Sequence, residues 1–224
     1  MSADTVLGRP ASHRVSRRTA AKRALDVVIA ALLLLTLSPV LAIVWLLVRT
    51  STPGGALFRQ PRVGRYGRRF VMYKFRTMYA DCPDDLHRAY VSRLLSETDP
   101  SAGGEQGIFK LRDDPRITRA GRWLRRTSLD ELPQLLNVLR GDMSLVGPRP
   151  ALPWEAALFG QQYHKRFMVP PGVTGLWQVS GRNHLTMRQG LDLDVAYVDQ
   201  QSLILDLKIL IKTLPAVLTG SGAL

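Results

Sequence analysis

The chain has 224 residues, 46% of them hydrophobic, and its 31 lysines and arginines against 18 aspartates and glutamates leave a formal net charge of +13. This length supports one principal domain with a sizeable core and is short for two. A single cysteine, Cys82, excludes an intrachain disulfide, a cysteine-built zinc site and an iron–sulfur cluster. The positive charge predicts attraction to polyanions such as nucleic acid, anionic lipid or phosphorylated metabolites, without choosing among them.

The N-terminal part of the chain contains a basic tail and then a membrane-length apolar stretch. Residues 1–21 are polar and basic without apolar periodicity, which predicts a disordered tail. Val27 to Val48 contains no charged residue and as a helix would be about 33 Å long, the thickness of a bilayer. Ser38-Pro39 interrupts this helix, because an interior proline removes one backbone hydrogen bond and bends the chain. Residues 22–48 therefore form either a single-pass helix with a tolerated proline or a re-entrant helix whose basic flanks both stay in the cytoplasm.

Residues 49–224 are predicted to form a cytosolic domain that begins with a basic region. Arg49 to Tyr79 contains eight lysines and arginines, no acid and several aromatic residues, and the segment RFVMYKF predicts a short strand or hairpin. Basic residues mixed with aromatics are also typical of a nucleic-acid surface. The adjacent membrane segment already accounts for the basic residues, so no nucleic-acid partner is predicted.

Two further segments differ in composition from their surroundings. Residues 81–107 are acidic and polar, which predicts a short helix followed by a mobile loop. Leu203 to Leu218 is apolar except for a few charged residues and predicts a helix. This helix either packs on the core or lies in the membrane interface, and its composition does not decide between the two.

Familiar catalytic motifs are missing from the sequence, and a pair of carboxylates set between arginines remains. There is no Walker phosphate loop, no G-x-G-x-x-G, no G-x-S-x-G and no pair of histidines at metal-ligand spacing. Asp130-Glu131 follows three arginines, and an ionised carboxylate there can act as a nucleophile or a metal ligand. A purely structural alternative stays open, because Ser128-x-x-Glu131 is a capping box and Asp130 is a second candidate N-cap.

Arginines at rigid turns are candidate phosphate ligands. Arg149 is fixed between two prolines in the sequence Gly147-Pro148-Arg149-Pro150. A guanidinium in such a loop can hold phosphate oxygens through two hydrogen bonds, although a stiff turn with a surface arginine gives the same pattern. A later glycine-rich segment places Arg182 at another turn.

The motifs that carry a resemblance are Lys22-Arg23-x-x-Asp26, Ser38-Pro39, Lys74-Phe75-Arg76-Thr77-Met78, Ser128-Leu129-Asp130-Glu131-Leu132, the run from Gly141 to Pro150, and Thr174-Gly175-Leu176-Trp177-Gln178-Val179-Ser180-Gly181-Arg182-Asn183. In this order, over roughly residues 22–218, they resemble those of the monotopic phosphoglycosyl transferases, the bacterial sugar transferases that begin lipid-linked glycan assembly. The resemblance implies a mainly α fold with a small β hairpin (α+β). It also implies a monotopic membrane protein whose re-entrant helix, residues 22–48, is broken at Ser38-Pro39, together with interfacial amphipathic helices.

The resemblance also implies a reaction and roles for individual residues. A sugar 1-phosphate would pass from a UDP-sugar, with a hexose such as glucose or galactose preferred, to undecaprenyl phosphate, and UMP would be released. Asp130 would be the nucleophile that forms a covalent phosphosugar intermediate, and Glu131 would be a ligand of Mg²⁺. Arg149, Arg125 and Arg182 would bind the substrate phosphates.

The implied location is the cytoplasmic face of the bacterial inner membrane, on the inner leaflet, with residues 49–224 as the catalytic domain. The reaction would be the first membrane step of exopolysaccharide, capsule or O-antigen synthesis, and a homo-oligomer stays open. The alternative from another class is a non-enzymatic, membrane-tethered basic adaptor that binds anionic lipid or nucleic acid. The two differ at Asp130, because an adaptor tolerates Asp130→Asn and an enzyme with that nucleophile does not.

Overall fold

The computed structural model describes residues 13–51, 53–79, 114–181 and 185–218, and the predicted acidic segment 81–107 lies outside them. Short 3-10 helices occur at Arg65–Gly67, Leu129–Glu131 and Gln161–Met168. The helices and strands of the described residues are, in chain order, α1 (His13–Thr36), α2 (Ser38–Ser51), β1 (Leu57–Val63), β2 (Arg69–Phe75), α3 (Arg119–Thr127), α4 (Gln134–Arg140), β3 (Ser144–Val146), α5 (Pro153–Leu158), β4 (Gly172–Thr174), α6 (Leu176–Val179), α7 (Met187–Gln200) and α8 (Leu203–Leu218).

The described chain is mostly helical with a small antiparallel hairpin, as predicted. β1 and β2 pair from Leu57 opposite Phe75 to Val63 opposite Arg69, so the RFVMYKF segment is a strand. The turn between them is tight because Tyr66 and Gly67 both have left-handed backbone conformations. The sequence did not indicate the second sheet, in which β3 pairs in parallel with β4.

A bend separates α1 and α2 at the position of the proline. The two helices meet at an angle of 65°, beside Ser38 and Pro39. Pro39 has no N–H for the Leu35 carbonyl, and the hydroxyl of Ser38 donates to that carbonyl instead, at 2.8 Å. Among the described residues no single helix is long and apolar enough to cross a membrane, and this bent pair meets the length and composition criteria only when its two helices are taken together.

The first helix starts earlier than the sequence suggested. α1 begins at His13, inside the stretch predicted to be a disordered tail, and residues 1–12 lie outside the described part of the chain. Ala20, Ala21 and Lys22 follow one another in α1, and alanine and lysine are strong helix formers. They extend the membrane-length helix toward the N-terminus.

Three charged side chains of α1, which we call the α1 anchor (Lys22, Arg23 and Asp26), fix this helix to three other elements. Lys22 Nζ donates to Asp206 of α8 at 2.7 Å. Arg23 donates through both terminal nitrogens to the last carbonyls of α4, with 2.8 Å to Leu139. Asp26 accepts from the Ser144 hydroxyl at 2.8 Å and from the next backbone N–H of β3. The Lys22-Arg23-x-x-Asp26 motif is therefore the joint between α1 and the rest of the fold.

The core lies where the hairpin, α4, β3, α7 and α8 pack against α1. Tyr197 of α7 is fully buried there, and its hydroxyl donates to Asp206 at 2.7 Å. The buried acceptor of Lys22 is thus also the acceptor of the core tyrosine. Besides Ala30, the members of this cluster that are at most 2% exposed are Met72, Val138, Met143, Val146, Tyr197 and Ile209.

Removing the carboxylate of Asp206 tests the α1 anchor. Asp206→Ala deprives half-buried Lys22 and buried Tyr197 of their nearest acceptor, which should lower the free energy of unfolding by about 3 kcal/mol. For a chain of this size the thermal midpoint in detergent should fall by about 6–12 °C. The control is Asp199→Ala on α7, because Asp199 pairs with Lys165 in solvent and should change stability by less than about 1 kcal/mol. Equal midpoints for the two variants would show that the α1 anchor does not stabilise the fold.

Candidate functional site

The Asp130-Glu131 dyad lies in a single 3-10 turn between two helices. α3 ends at Thr127, Ser128 takes a left-handed conformation with φ 55°, and the turn runs from Leu129 to Glu131. Ser128 makes no side-chain capping hydrogen bond, and Pro133, not Asp130, occupies the N-cap position of α4. The capping alternatives are therefore wrong, because the left-handed Ser128 ends α3, and Leu132 and Pro133 lie between the dyad and the start of α4.

Asp130 and Glu131 occupy different environments within this turn. Asp130 is buried, with 8% of its surface exposed. Glu131 is half-buried and points to the hairpin, where the Lys74 ammonium donates to its carboxylate at 2.8 Å. Adjacent residues in a 3-10 turn point about 120° apart, so two neighbouring carboxylates can serve two functions.

Arg125 projects from the last turn of α3 toward the dyad. Its Nε donates to the hydroxyl of buried Thr77 at 2.9 Å, which fixes one side of the guanidinium. Burial lowers the pKa of Arg125, and the negative charges of Asp130 and Asp114 oppose that effect. Arginine stays protonated in proteins, so the dyad faces a fixed positive charge.

Asp114 and Arg116 form a second charged pair near Arg125. Two nitrogens of the Arg116 guanidinium donate to the two carboxylate oxygens of Asp114, at 2.9 Å and 2.8 Å. These hydrogen bonds are the main reason that the pKa of Asp114 lies below its usual value. Neither residue was a sequence candidate, because both lie outside the matched motifs. The only local signal is the Asp114-Pro115-Arg116 turn, which sets an acid and an arginine two residues apart.

The part of the chain that the structure describes contains no group of three or more histidine, cysteine, aspartate or glutamate side chains able to hold a metal ion. Mg²⁺ does not need such a group, because it keeps several waters and is usually bound by one or two carboxylates together with substrate phosphates. Adjacent Asp130 and Glu131 meet that requirement. The dyad fits Mg²⁺ as a partial site that substrate phosphates would complete.

The structure places Arg149 at the other end of the hairpin. Its loop follows β3, and Ala151 pairs with Val63 at the turn end of β1 and β2. Lys74, which binds Glu131, is five residues from that end along β2, or about 17 Å. Arg149 and the dyad thus approach the hairpin from opposite ends. Arg182 lies outside the described residues.

The pKa shift of Asp114 predicts how stability depends on pH. A carboxylate with a lowered folded-state pKa stabilises the fold above its unfolded value of about 3.9, and this contribution is lost as the pH falls through the folded-state value. We expect Asp114→Asn to lower the thermal midpoint near neutral pH. We also expect the difference from the unmodified chain to shrink as the pH falls below about 4.

Thermal unfolding of both proteins across this pH range checks the prediction. A difference in midpoint that stays constant down to the lowest pH would contradict it, because Asp114 would then contribute no ionisation-linked stability.

The sequence is similar to those of known bacterial proteins. Residues 17–220 match the profile of the bacterial sugar transferase family. The chain is 44% identical over 203 residues to the undecaprenyl-phosphate galactose phosphotransferase of Salmonella typhimurium, covering 90% of this chain and 41% of that protein. It thus spans about two fifths of the length of that longer relative.

This chain covers a larger share of two other relatives. The exopolysaccharide production protein ExoY of Sinorhizobium fredii is 42% identical, with 90% of this chain and 87% of that protein aligned. The UDP-glucose:undecaprenyl-phosphate glucose-1-phosphate transferase of Caulobacter vibrioides is 43% identical, with 90% and 71% aligned. The family profile matches nearly the whole of this chain, and the identity to these relatives exceeds two fifths. The chain therefore belongs to the bacterial sugar transferase family.

Proposed function

We propose that the chain transfers a sugar 1-phosphate from a UDP-sugar to undecaprenyl phosphate and releases UMP, as a polyprenyl-phosphate phosphoglycosyl transferase. The observation that carries the proposal is the Asp130-Glu131 dyad, set in one turn beside Arg125 and Lys74. Relatives named for galactose and glucose phosphotransfer to undecaprenyl phosphate support the reaction and favour a hexose as the sugar. Relatives named for exopolysaccharide production support a role in making such a polymer. We propose that the reaction is the first membrane step of that synthesis.

Asp130 is the proposed nucleophile. One of its carboxylate oxygens attacks the β-phosphorus of the UDP-sugar, and the bond from that phosphorus to the bridging oxygen breaks. UMP leaves with the electron pair, and the sugar phosphate stays on Asp130 as an acyl phosphate. An oxygen of undecaprenyl phosphate then attacks the same phosphorus, which releases the lipid-linked sugar diphosphate and restores Asp130.

Positively charged groups around the dyad would let the Asp130 carboxylate approach the negatively charged diphosphate. A diphosphate repels a carboxylate, so phosphate charge must be neutralised as the bond to UMP breaks. Arg125 supplies one fixed positive charge at the dyad, and Arg149 and Arg182 are proposed to bind phosphate oxygens. Glu131, oriented by Lys74, is the proposed Mg²⁺ ligand, and Mg²⁺ when bound supplies further charge neutralisation.

A membrane location suits an acceptor whose hydrocarbon tail stays in the bilayer. The bent pair of α1 and α2 is proposed to enter and leave the inner leaflet on the cytoplasmic side, with the α1 anchor joining it to the domain. α8 supports the same placement: Asp206 and Ile209 are buried against the core, while its exposed side carries five large apolar residues together with Lys208 and Lys212. The five apolar residues are Leu203, Ile204, Leu207, Ile211 and Leu214.

Nucleotide release tests the proposed reaction. Detergent-solubilised protein with a panel of UDP-sugars, Mg²⁺ and undecaprenyl phosphate should form UMP, because the broken bond lies between the two phosphates. Asp130→Asn keeps the side-chain shape and removes the nucleophile, so turnover should fall at least about a thousandfold.

Asp199→Asn, on the exposed surface of α7, is the matched control and should leave turnover unchanged. Release of UDP would mean that the glycosidic bond breaks and would overturn the mechanism. Unchanged turnover in Asp130→Asn would exclude Asp130 as the nucleophile, and no release from any donor would favour the membrane-tethered adaptor.

The Thr77 hydroxyl gives a second test, directed at Arg125. Thr77→Val preserves the side-chain shape and removes the acceptor of Arg125 Nε, so kcat/KM should fall about tenfold to a hundredfold. Thr77→Ser keeps the hydroxyl and should retain most of the activity. Equal activities of the two variants would show that this hydrogen bond does not orient Arg125.

A further inference from the structure

In the loop that carries Arg149, four successive backbone carbonyls each accept a hydrogen bond. Backbone N–H groups of Gly172 and Val63 bind the outer two, on Pro148 and Ala151, each at 2.9 Å. Arginine side chains bind the inner two: Arg166 Nη2 donates to the Arg149 carbonyl at 2.6 Å, and Arg62 Nη1 donates to the Pro150 carbonyl at 2.8 Å. The backbone on both sides of Arg149 is therefore fixed by partners from distant parts of the chain.

Arg166 reaches this loop as half of a buried ion pair with Asp194 of α7. Its Nη2 lies 2.6 Å from the Asp194 carboxylate, and the two side chains are only 2% and 1% exposed. The guanidinium also lies over the rings of Phe159 and Phe167, at 5.0 Å and 5.4 Å from their centroids. These contacts leave Arg166 little freedom to move.

Asp194 also interacts with Arg149 itself. Burial raises the pKa of Asp194, and the positive charges of Arg166 and Arg149 act in the opposite direction. The pair therefore reaches the Arg149 peptide through Arg166, which Asp194 holds in place and which donates to the Arg149 carbonyl.

A buried ion pair contributes little net stability to a fold. Its desolvation cost often cancels the attraction between the charges, and a well-packed apolar pair of similar volume stabilises a fold equally well. Here Arg166 Nη1 and Asp194 Oδ1 are buried without a hydrogen-bond partner, which adds to that cost. What the pair does supply, and an apolar pair would not, is a defined orientation of the Arg149 peptide.

We propose that Arg166 and Asp194 are positioning residues that hold the Arg149 peptide so that its guanidinium is presented to the diphosphate of the sugar nucleotide. The inference rests on the proposed function, in which Arg149 binds a substrate phosphate. Neither residue touches substrate, and both act through Arg149. Their loss should therefore weaken use of the sugar nucleotide in the same way as loss of Arg149.

A kinetic double-mutant cycle tests this inference. Arg149→Ala and Asp194→Asn should each raise KM for the UDP-sugar about tenfold or more and leave KM for undecaprenyl phosphate nearly unchanged. The double variant should be no more than about twofold worse than Arg149→Ala, because Asp194 acts only through Arg149. Asp199→Asn is the matched control: Asp199 lies on the same helix and pairs with Lys165, the neighbour of Arg166, and its loss should change neither KM.

An apolar replacement separates positioning from folding. Arg166→Met with Asp194→Leu removes both buried charges at similar volume, so the thermal midpoint should stay near that of the unmodified chain. Its KM for the UDP-sugar should still be raised about tenfold, because the Arg149 carbonyl has lost its donor. A stable apolar variant with an unchanged KM would overturn the inference.

The outcomes distinguish this inference from the proposed function. The positioning role alone would be overturned if the unmodified protein transfers sugar 1-phosphate and the two single-variant increases in KM multiply in the double variant. An unmodified protein that transfers none would overturn the proposed function, and the positioning role with it. Active protein with losses that do not multiply would support both.

Discussion

The charged side chains of the α1 anchor make the contacts on which the rest of the structure depends. Lys22, Arg23 and Asp26 join the bent helix pair to α8, α4 and β3 within two turns of helix. A buried charge that loses its partner costs several kcal/mol, so the contacts made with buried Asp26 and buried Asp206 hold α1 against the domain. Because Arg23 binds the end of α4, the helix that directly follows the dyad, the position of the dyad is coupled to that of the apolar helices.

The hairpin formed by β1 and β2 contacts both parts of the candidate site. Lys74 near its open end orients Glu131, and Val63 at its turn end pairs with the loop of Arg149. About 17 Å of the two-stranded hairpin lies between these points, so the dyad and the Arg149 loop contact different ends of the same element. In the proposed reaction, the nucleophile and a phosphate-binding arginine thus belong to two clusters, each fixed to a different end of one hairpin.

Features set by neighbouring residues could be predicted from the sequence, and features set by distant contacts could not. The bend at Ser38-Pro39 and the hairpin around RFVMYKF follow from one proline and from alternation between turns. The capping alternative failed because the left-handed conformation of Ser128 depends on how α3 ends. The Arg166–Asp194 pair left no signal, because its members are 28 residues apart and meet only in the folded chain. The roles proposed for Asp130, Glu131 and Arg149 remain predictions.

The central claim is that Asp130 carries the sugar phosphate between donor and acceptor, and mass spectrometry tests it most directly. Protein incubated with the UDP-sugar and Mg²⁺, without undecaprenyl phosphate, should gain the mass of one sugar phosphate on the peptide that contains Asp130. Addition of undecaprenyl phosphate should then remove that mass. Full transfer activity with a peptide that stays unmodified under these conditions, or with the sugar phosphate on another residue, would contradict the account.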